Sequence, residues 1–152
     1  MVFSFDEIAE EIIASLRKIY RSTYVSVILY KKDTIVNIKS NNYNNWQTIM
    51  FEGELHQDCL LFKIAKSFNE LQPNQEDIIV WDNVVDSTNE IHRMRLENGL
   101  HNGISVVIKQ ANDIAWCISA CSDNSQGRDF FHTRFHSKKN KIKEIIENLN
   151  VY

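Results

Sequence analysis

Two pairs of strand-like runs, each joined by a short polar break and set between amphipathic helical segments, constrain the fold of this chain more than any other feature. Tyr24 to Tyr30 and Thr34 to Lys39 flank Lys31-Lys32-Asp33, while Ile104 to Lys109 and Ile114 to Ala120 flank Ala111-Asn112-Asp113. All four runs are rich in β-branched and aromatic residues, which fit a pleated, half-buried surface. Strands linked this tightly can only pair antiparallel. A fifth short strand, Ile78 to Trp81, is expected after a polar loop from Gln72 to Asp77 that contains the only proline, Pro73.

The intervening text changes period. Phe5, Ile8, Ile12, Leu16 and Ile19 recur at steps of three and four, so residues 4–20 read as a helix with one apolar stripe. Ser4 is placed to cap it, with Glu7 completing a capping-box pattern. Residues 43–69 read as helix in two pieces split by Glu52-Gly53-Glu54, Asp86 to Asn98 as a helix ended by Gly99, and residues 129–149 as a terminal helix after the loop Ser122 to Arg128. Helices with one apolar stripe must cover a sheet face. The expected fold class is therefore α/β (α+β): a three-layer α-β-α sandwich on a five-stranded, mainly antiparallel sheet, in outline like PAS and GAF sensory folds.

Size and composition narrow the function classes. With 152 residues the chain reads as a single domain, 1–152, large enough for a real core. A net charge of −3 argues against nucleic-acid binding by the chain as a whole. The basic run Arg134, Lys138, Lys139, Lys141 and Lys143 shares its helix with Ile142, Ile145, Ile146 and Leu149, so it reads as a solvated helix face or a connector. No apolar stretch is long enough to cross a membrane, and the N-terminus is acidic where a signal peptide is basic, so a cytoplasmic location is expected. Cys59, Cys117 and Cys121 are odd in number and lie in apolar text, which fits reduced, buried thiols.

The residues with chemical content stand out against apolar neighbours. Trp46, Ile49, Met50, Leu60, Leu61 and Ile64 can wall an apolar cavity against the sheet, and Asp58 interrupts them. A carboxylate accepts from an amide N–H in a charge-assisted bond, whereas an indole N–H only donates and suits a carbonyl. Trp46 and Asp58 together can read an amide-plus-carbonyl head group, and Ser119 on a core strand can add a hydroxyl. The competing structural uses are a core indole bonded to a carbonyl for Trp46 and Trp81, a helix cap for Asp58, and a strand-to-strand bond for Ser119.

Five segments, in order, resemble the autoinducer-binding domain of LuxR-type regulators. Ser40-Asn41-Asn42-Tyr43-Asn44-Asn45-Trp46 is similar to that family's Asn-Tyr-Pro-x-x-Trp segment, Gln57-Asp58-Cys59-Leu60 to its apolar-Asp-Pro-Val, and Val80-Trp81-Asp82 to its Phe/Val-Trp-Asp/Asn. Glu97 to Val106 resembles its Gly-Leu-x-x-Gly-Val stretch, and Trp116-Cys117-Ile118-Ser119 its Gly-x-Leu-Ser strand. The resemblance implies a cavity for an N-acyl-homoserine lactone. In it Trp46 would donate to the lactone carbonyl and Asp58 would accept from the amide. Trp81 would pack on the ring and Ser119 would reach the acyl carbonyl, with Tyr43 and Met50 nearby and Gly103 permitting close packing.

It also implies a homodimer, or a heterodimer with a related regulator, and DNA contact only through a helix-turn-helix domain beyond this chain. The chain is then the sensory half of a longer regulator or a sensor-only protein. Met50 stands where the family has a tyrosine and Cys59 where it has a proline. Loss of a hydroxyl that meets a carbonyl costs about 1–3 kcal/mol, so the signal differs from a standard lactone or the pocket is looser.

Other classes draw less support. Cys117, Cys121, His132 and His136 mimic a zinc-finger spacing, but cysteines four apart on a strand are separated by ~13 Å, too far for one tetrahedral ion. No metal or cofactor is expected. No paired carboxylates, catalytic triad or Gly-rich phosphate loop is present in the sequence, so a lactone-processing enzyme lacks its nucleophile. The chief alternative to a sensor is a PAS- or GAF-like interaction module with a filled core and no small ligand.

Overall fold

The structure is a computed structural model that describes residues 4–32, 34–55, 71–73, 75–84, 88–111, 113–123, 125 and 127–148. The chain opens with α1, Phe5–Arg17, whose first turn is capped as expected: the Ser4 hydroxyl accepts from the Glu7 amide at 3.2 Å. Strands β1, Ser22–Lys31, and β2, Thr34–Ser40, follow as an antiparallel pair. A single helical turn, Tyr43–Asn45, leads into α2, Trp46–Glu52. After β3, Glu76–Val80, come the short helix α3, Trp81–Val84, and α4, Glu90–Glu97. The hairpin β4, His101–Ala111, and β5, Ile114–Ser122, precedes α5, Arg128–Glu147.

The five strands lie in the order β2-β1-β5-β4-β3, and every neighbouring pair is antiparallel. Helices cover both faces. On one side α1 and α5 place Ile8, Ile12, Leu16, Phe131, Phe135, Ile142 and Ile146 against Val25, Val27, Ile104, Val106, Trp116 and Ile118. On the other, Tyr24, Ile28, Tyr30, Val107, Ala115 and Cys117 face Trp46 and Met50 of α2 and Trp81 of α3. With both faces covered, odd and even positions of the central strands are alike in burial, so these strands read as near-continuous apolar runs. The expected sandwich is the observed one.

Two boundaries differ from expectation. Trp81 does not end a strand: Val80 still pairs with Ile104, but Trp81 opens a helical turn. The reason is steric, since its indole lies where a side chain at Gly103 on the neighbouring strand would stand. The helix expected from Asp86 begins at Glu90, because the Asn89 side chain accepts from the His92 amide at 2.9 Å and caps it there; Asp86 itself lies outside the described residues, as do the second helical piece after Gly53 and its Asp58, Cys59, Leu60, Leu61 and Ile64.

The asparagine-rich segment before Trp46 now has a physical account. Asn42, Asn44 and Asn45 all adopt left-handed backbone (φ 49°, 51° and 58°), a region asparagine tolerates better than other non-glycine residues. Asn41 holds the segment to β1 by accepting from the Val25 amide at 2.9 Å and donating to the Thr23 carbonyl at 2.6 Å. Asn42 reaches forward, and its side-chain Oδ1 accepts from the Thr48 amide at 3.3 Å in the first turn of α2. The consequence is a sharp reversal that lays α2 over the sheet with Trp46 and Met50, one turn apart, both facing in.

Candidate ligand-binding site

A cavity lies between the sheet and this second helical layer. Its non-atom space amounts to about 590 Å³ when the open solvent at its mouth is counted. Its lining has two chemistries. Tyr24, Ser26, Ser105, Ser119, Trp81 and Arg95 supply polar atoms, whereas Ile28, Tyr30, Ile38, Met50, Phe51, Ile79 and Cys117 supply mainly apolar surface, with Trp46 in the same lining.

The strand register puts the polar residues in order. Ser26 of β1 pairs with Ser119 of β5, and Ser119 pairs with Ser105 of β4. Ser40 of β2 continues the row beside Ser26. On the same face, two residues along each strand on one side of the row, stand Ile28 and Cys117, and on the other Tyr24 and Cys121. One end of the floor is thus oily, and the row of hydroxyls marks where it becomes polar.

Trp81 is held at the polar end by three contacts. Its indole N–H donates to the Ser105 hydroxyl at 2.8 Å, and that hydroxyl lies 2.5 Å from the Ser119 hydroxyl. The Arg95 guanidinium sits over the indole, 5.1 Å from the ring centroid, in cation–π geometry. A Cβ at Gly103 would stand 1.9 Å from Cε3 of the same ring, so only glycine leaves room for it. The close packing expected beside Gly103 is therefore against Trp81.

Of the residues singled out from sequence, Trp46, Met50, Trp81 and Ser119 converge on the cavity. Trp46 is 3% exposed, and its N–H makes no hydrogen bond among the described residues. Tyr43 packs against the second cluster but lies against Gly99, whose built Cβ would be 3.3 Å from the tyrosine hydroxyl. Gly99 has φ +82°, the left-handed conformation that closes α4. Asp58 lies outside the described residues.

Ser26, Ser105 and Arg95 were missed. Each serine is one small residue in an apolar strand, and nothing in the sequence says that three such strands align their serines. Arg95 carried one signal, its position one turn after Ile91 on the buried side of α4.

Burial sets the electrostatics of the floor. Desolvation pushes the Cys117 thiol from an ordinary 9.0 up to about 11, opposed by the Ser119 and Ser105 hydroxyls. The same cause raises Cys121 and Tyr24, with Arg95 opposing both and the Ser26 and Ser40 hydroxyls also opposing for Tyr24. In the unfolded chain these groups ionise first, so above about pH 9 the folded state binds more protons and stability falls with rising pH. Urea unfolding at pH 8, 9 and 10 is expected to show that decline, and Cys117→Ala is expected to lessen it while Cys121 and Tyr24 keep the remainder.

The zinc-like spacing does not assemble. Cys117 and Cys121 are free thiols buried in the sheet, and His132 places Nε2 3.0 Å from the Asn102 carbonyl. Among the described residues no group of three metal-ligating side chains stands together, and no helix is long and apolar enough to cross a membrane.

No protein-family profile matches the sequence, and no curated protein matches it in sequence. Solved structures do match in shape. SdiA in complex with octanoyl-rac-glycerol superposes with TM-score 0.63 at 12% identity, over 95% of this chain and 58% of that one. The VqsR ligand-binding domain from Pseudomonas aeruginosa superposes with TM-score 0.59 at 8% identity, over 93% of this chain and 91% of that one. The fold is that of LuxR-type autoinducer-binding domains. A crystal structure of Escherichia coli SdiA in space group P6522 superposes with TM-score 0.59 at 10% identity over 99% of this chain and 66% of that one. This autoinducer-binding-domain fold thus spans less than two-thirds of either SdiA chain and nearly all of the VqsR domain.

Proposed function

We propose that this chain is a single signal-sensing domain of a LuxR-type transcriptional regulator, acting in the cytoplasm, that takes a small amphiphile into the cavity. The amphiphile is an N-acyl-homoserine lactone or a relative of one, and the acylglycerol held by SdiA widens the set of relatives to test. One observation carries the reading: a cavity between sheet and helices has hydroxyls, an indole and a guanidinium toward one end and aliphatic side chains toward the other. An amphiphile matches that division, with its chain along Ile28, Cys117 and Tyr30. A filled-core interaction module would have its own side chains in this space.

In this reading Trp46 donates to a head-group carbonyl, Trp81 packs on the head group and Ser119 meets the acyl carbonyl, while Asp58 accepts from an amide. The domain senses rather than catalyses. A ligand that fills a core cavity stabilises the folded state by mass action. Occupancy thereby becomes a signal, passed on through dimerisation, with itself or with a related regulator, to transcription control.

A thermal-shift panel of acyl-homoserine lactones, acylglycerols and pyrones tests this. At a hundredfold excess over Kd the stabilisation is about 2.7 kcal/mol, a rise of roughly 5–10 °C for a domain of this size. No shift with any amphiphile, together with no small molecule retained by the purified protein in mass spectrometry, overturns the proposal. A ligand-loaded protein that stays monomeric in light scattering removes the dimerisation step alone.

A further inference from the structure

We infer that Ser105 is a positioning residue for the ligand: it accepts from the Trp81 indole, donates to Ser119, and so leaves the Ser119 hydroxyl as a directed donor for an acyl carbonyl in the cavity. The inference rests on the sensor reading of the same cavity and adds to it a residue that acts through another.

Strand register builds the contact. Ser105 and Ser119 are paired positions on β4 and β5, and the Cβ atoms of such pairs stand about 5 Å apart, close enough for two short hydroxyls to touch. Both serines are buried, as are Trp81 and Cys117. The Trp81 N–H donates to the Ser105 oxygen at 2.8 Å, and the two serine oxygens lie 2.5 Å apart. The Cys117 sulfur, two residues before Ser119 on β5, lies 4.0 Å from the Ser119 oxygen. The indole is held against Gly103 with Arg95 over its ring, so its N–H stays on Ser105.

Proton counting gives this chain of bonds its direction. An indole N–H only donates, whereas a serine hydroxyl donates once and accepts twice. Two orders satisfy the contact between the serines. In one, Ser119 donates to Ser105, and two donors converge on a single oxygen. In the other the bonds run head to tail from Trp81 to Ser105 to Ser119, each polarising the next, the cooperative arrangement that a low-dielectric interior strengthens. Ser119 then accepts from Ser105 and from the Cys117 thiol, a weak donor that keeps its proton because burial pushes it up to about 11. Its own O–H is left without a strong acceptor among these groups until an oxygen atom enters the cavity. A carbonyl lone pair meets that O–H, while a methylene leaves it buried and unmet.

Calorimetry on the whole chain with two probes of similar chain length tests this: N-octanoyl-homoserine lactone, which carries an acyl carbonyl, and γ-dodecalactone, whose alkyl chain joins the ring directly. Ser105→Ala is expected to weaken the first about tenfold, as for one buried hydrogen bond, and the second less than about twofold. Ser105→Thr, which keeps the hydroxyl, is expected to bind both within about threefold of the parent. Adding Ser119→Ala to Ser105→Ala is expected to cost the first probe less than about threefold more, since the two serines act as one unit. Should Ser105→Ala not fold, Ser105→Cys, of similar size and weaker as a donor, is expected to show the same selective loss in smaller measure. Equal losses for the two probes, no loss for either, selective loss of the acylated probe in Ser105→Thr, or full additivity of the two serine substitutions overturns the inference and leaves the sensor reading standing. So does a parent protein that binds other amphiphiles but not the acylated lactone. A parent protein that binds no amphiphile overturns both.

Discussion

Gly103→Ala is expected to lower the melting temperature by roughly 6–12 °C, an overpacking cost of about 3 kcal/mol in a domain of this size. The added Cβ would stand 1.9 Å from Cε3 and 2.1 Å from Cδ2 of Trp81, far inside van der Waals contact. Backbone strain is not the cause, since Gly99 is the glycine with positive φ. The ring has little freedom to retreat, because its N–H is bound to Ser105 and its face lies under Arg95. If it does move, it enters the cavity, so ligand stabilisation is expected to vanish along with the lost stability.

A double-mutant cycle with Trp81→Ala isolates the contact. Trp81→Ala alone costs about 3–5 kcal/mol, but in its background Gly103→Ala is expected to cost less than about 1 kcal/mol because the clash is gone. Chemical denaturation of the four proteins measures the coupling. A Gly103→Ala protein that melts within about 2 °C of the parent would show that Trp81 is not held as described.

Cys117→Phe is expected to act in the opposite direction on stability while abolishing binding. Cys117 points from the centre of β5 into the cavity, two residues from Ser119 and opposite Ile28 on β1 and Val107 on β4. A phenyl ring there fills space that an acyl chain would take. Replacing a void with apolar contact leaves the unliganded domain as stable as before or more so, since empty apolar volume is itself destabilising. Binding of any amphiphile is expected to fall more than about a hundredfold, about 2.8 kcal/mol. Thermal melts with and without ligand separate the two effects. An undiminished ligand shift in Cys117→Phe would place the binding site elsewhere.

Much of the architecture was legible because it depends on periodicity, which is local. The apolar stripe from Phe5 to Leu16 specified a helix and its buried face, and Lys31 to Asp33 specified a hairpin. Four of the fourteen residues that line the cavity were legible too. Trp46, Met50, Trp81 and Ser119 converge on one cavity because the resembled segments come in an order that the fold brings together. Trp81 as a strand residue was wrong for a reason no local pattern contains: the space it takes belongs to Gly103, 22 residues later.

Ser26, Ser105 and Arg95 mark the boundary between the two kinds of information. The alternation of residues along β1, β4 and β5 determined that each strand has two buried faces, since side chains alternate with period two whatever the partner. Which serine lies beside which was decided only by the register, and a shift of one residue would have sent all of them to the other face. The sequence by itself thus determined the elements, their faces and several cavity-lining residues. The tertiary structure alone decided that three scattered serines form one row, and that an arginine and a glycine fix the indole at its end. Register and packing are relations between distant segments, and local composition does not carry them.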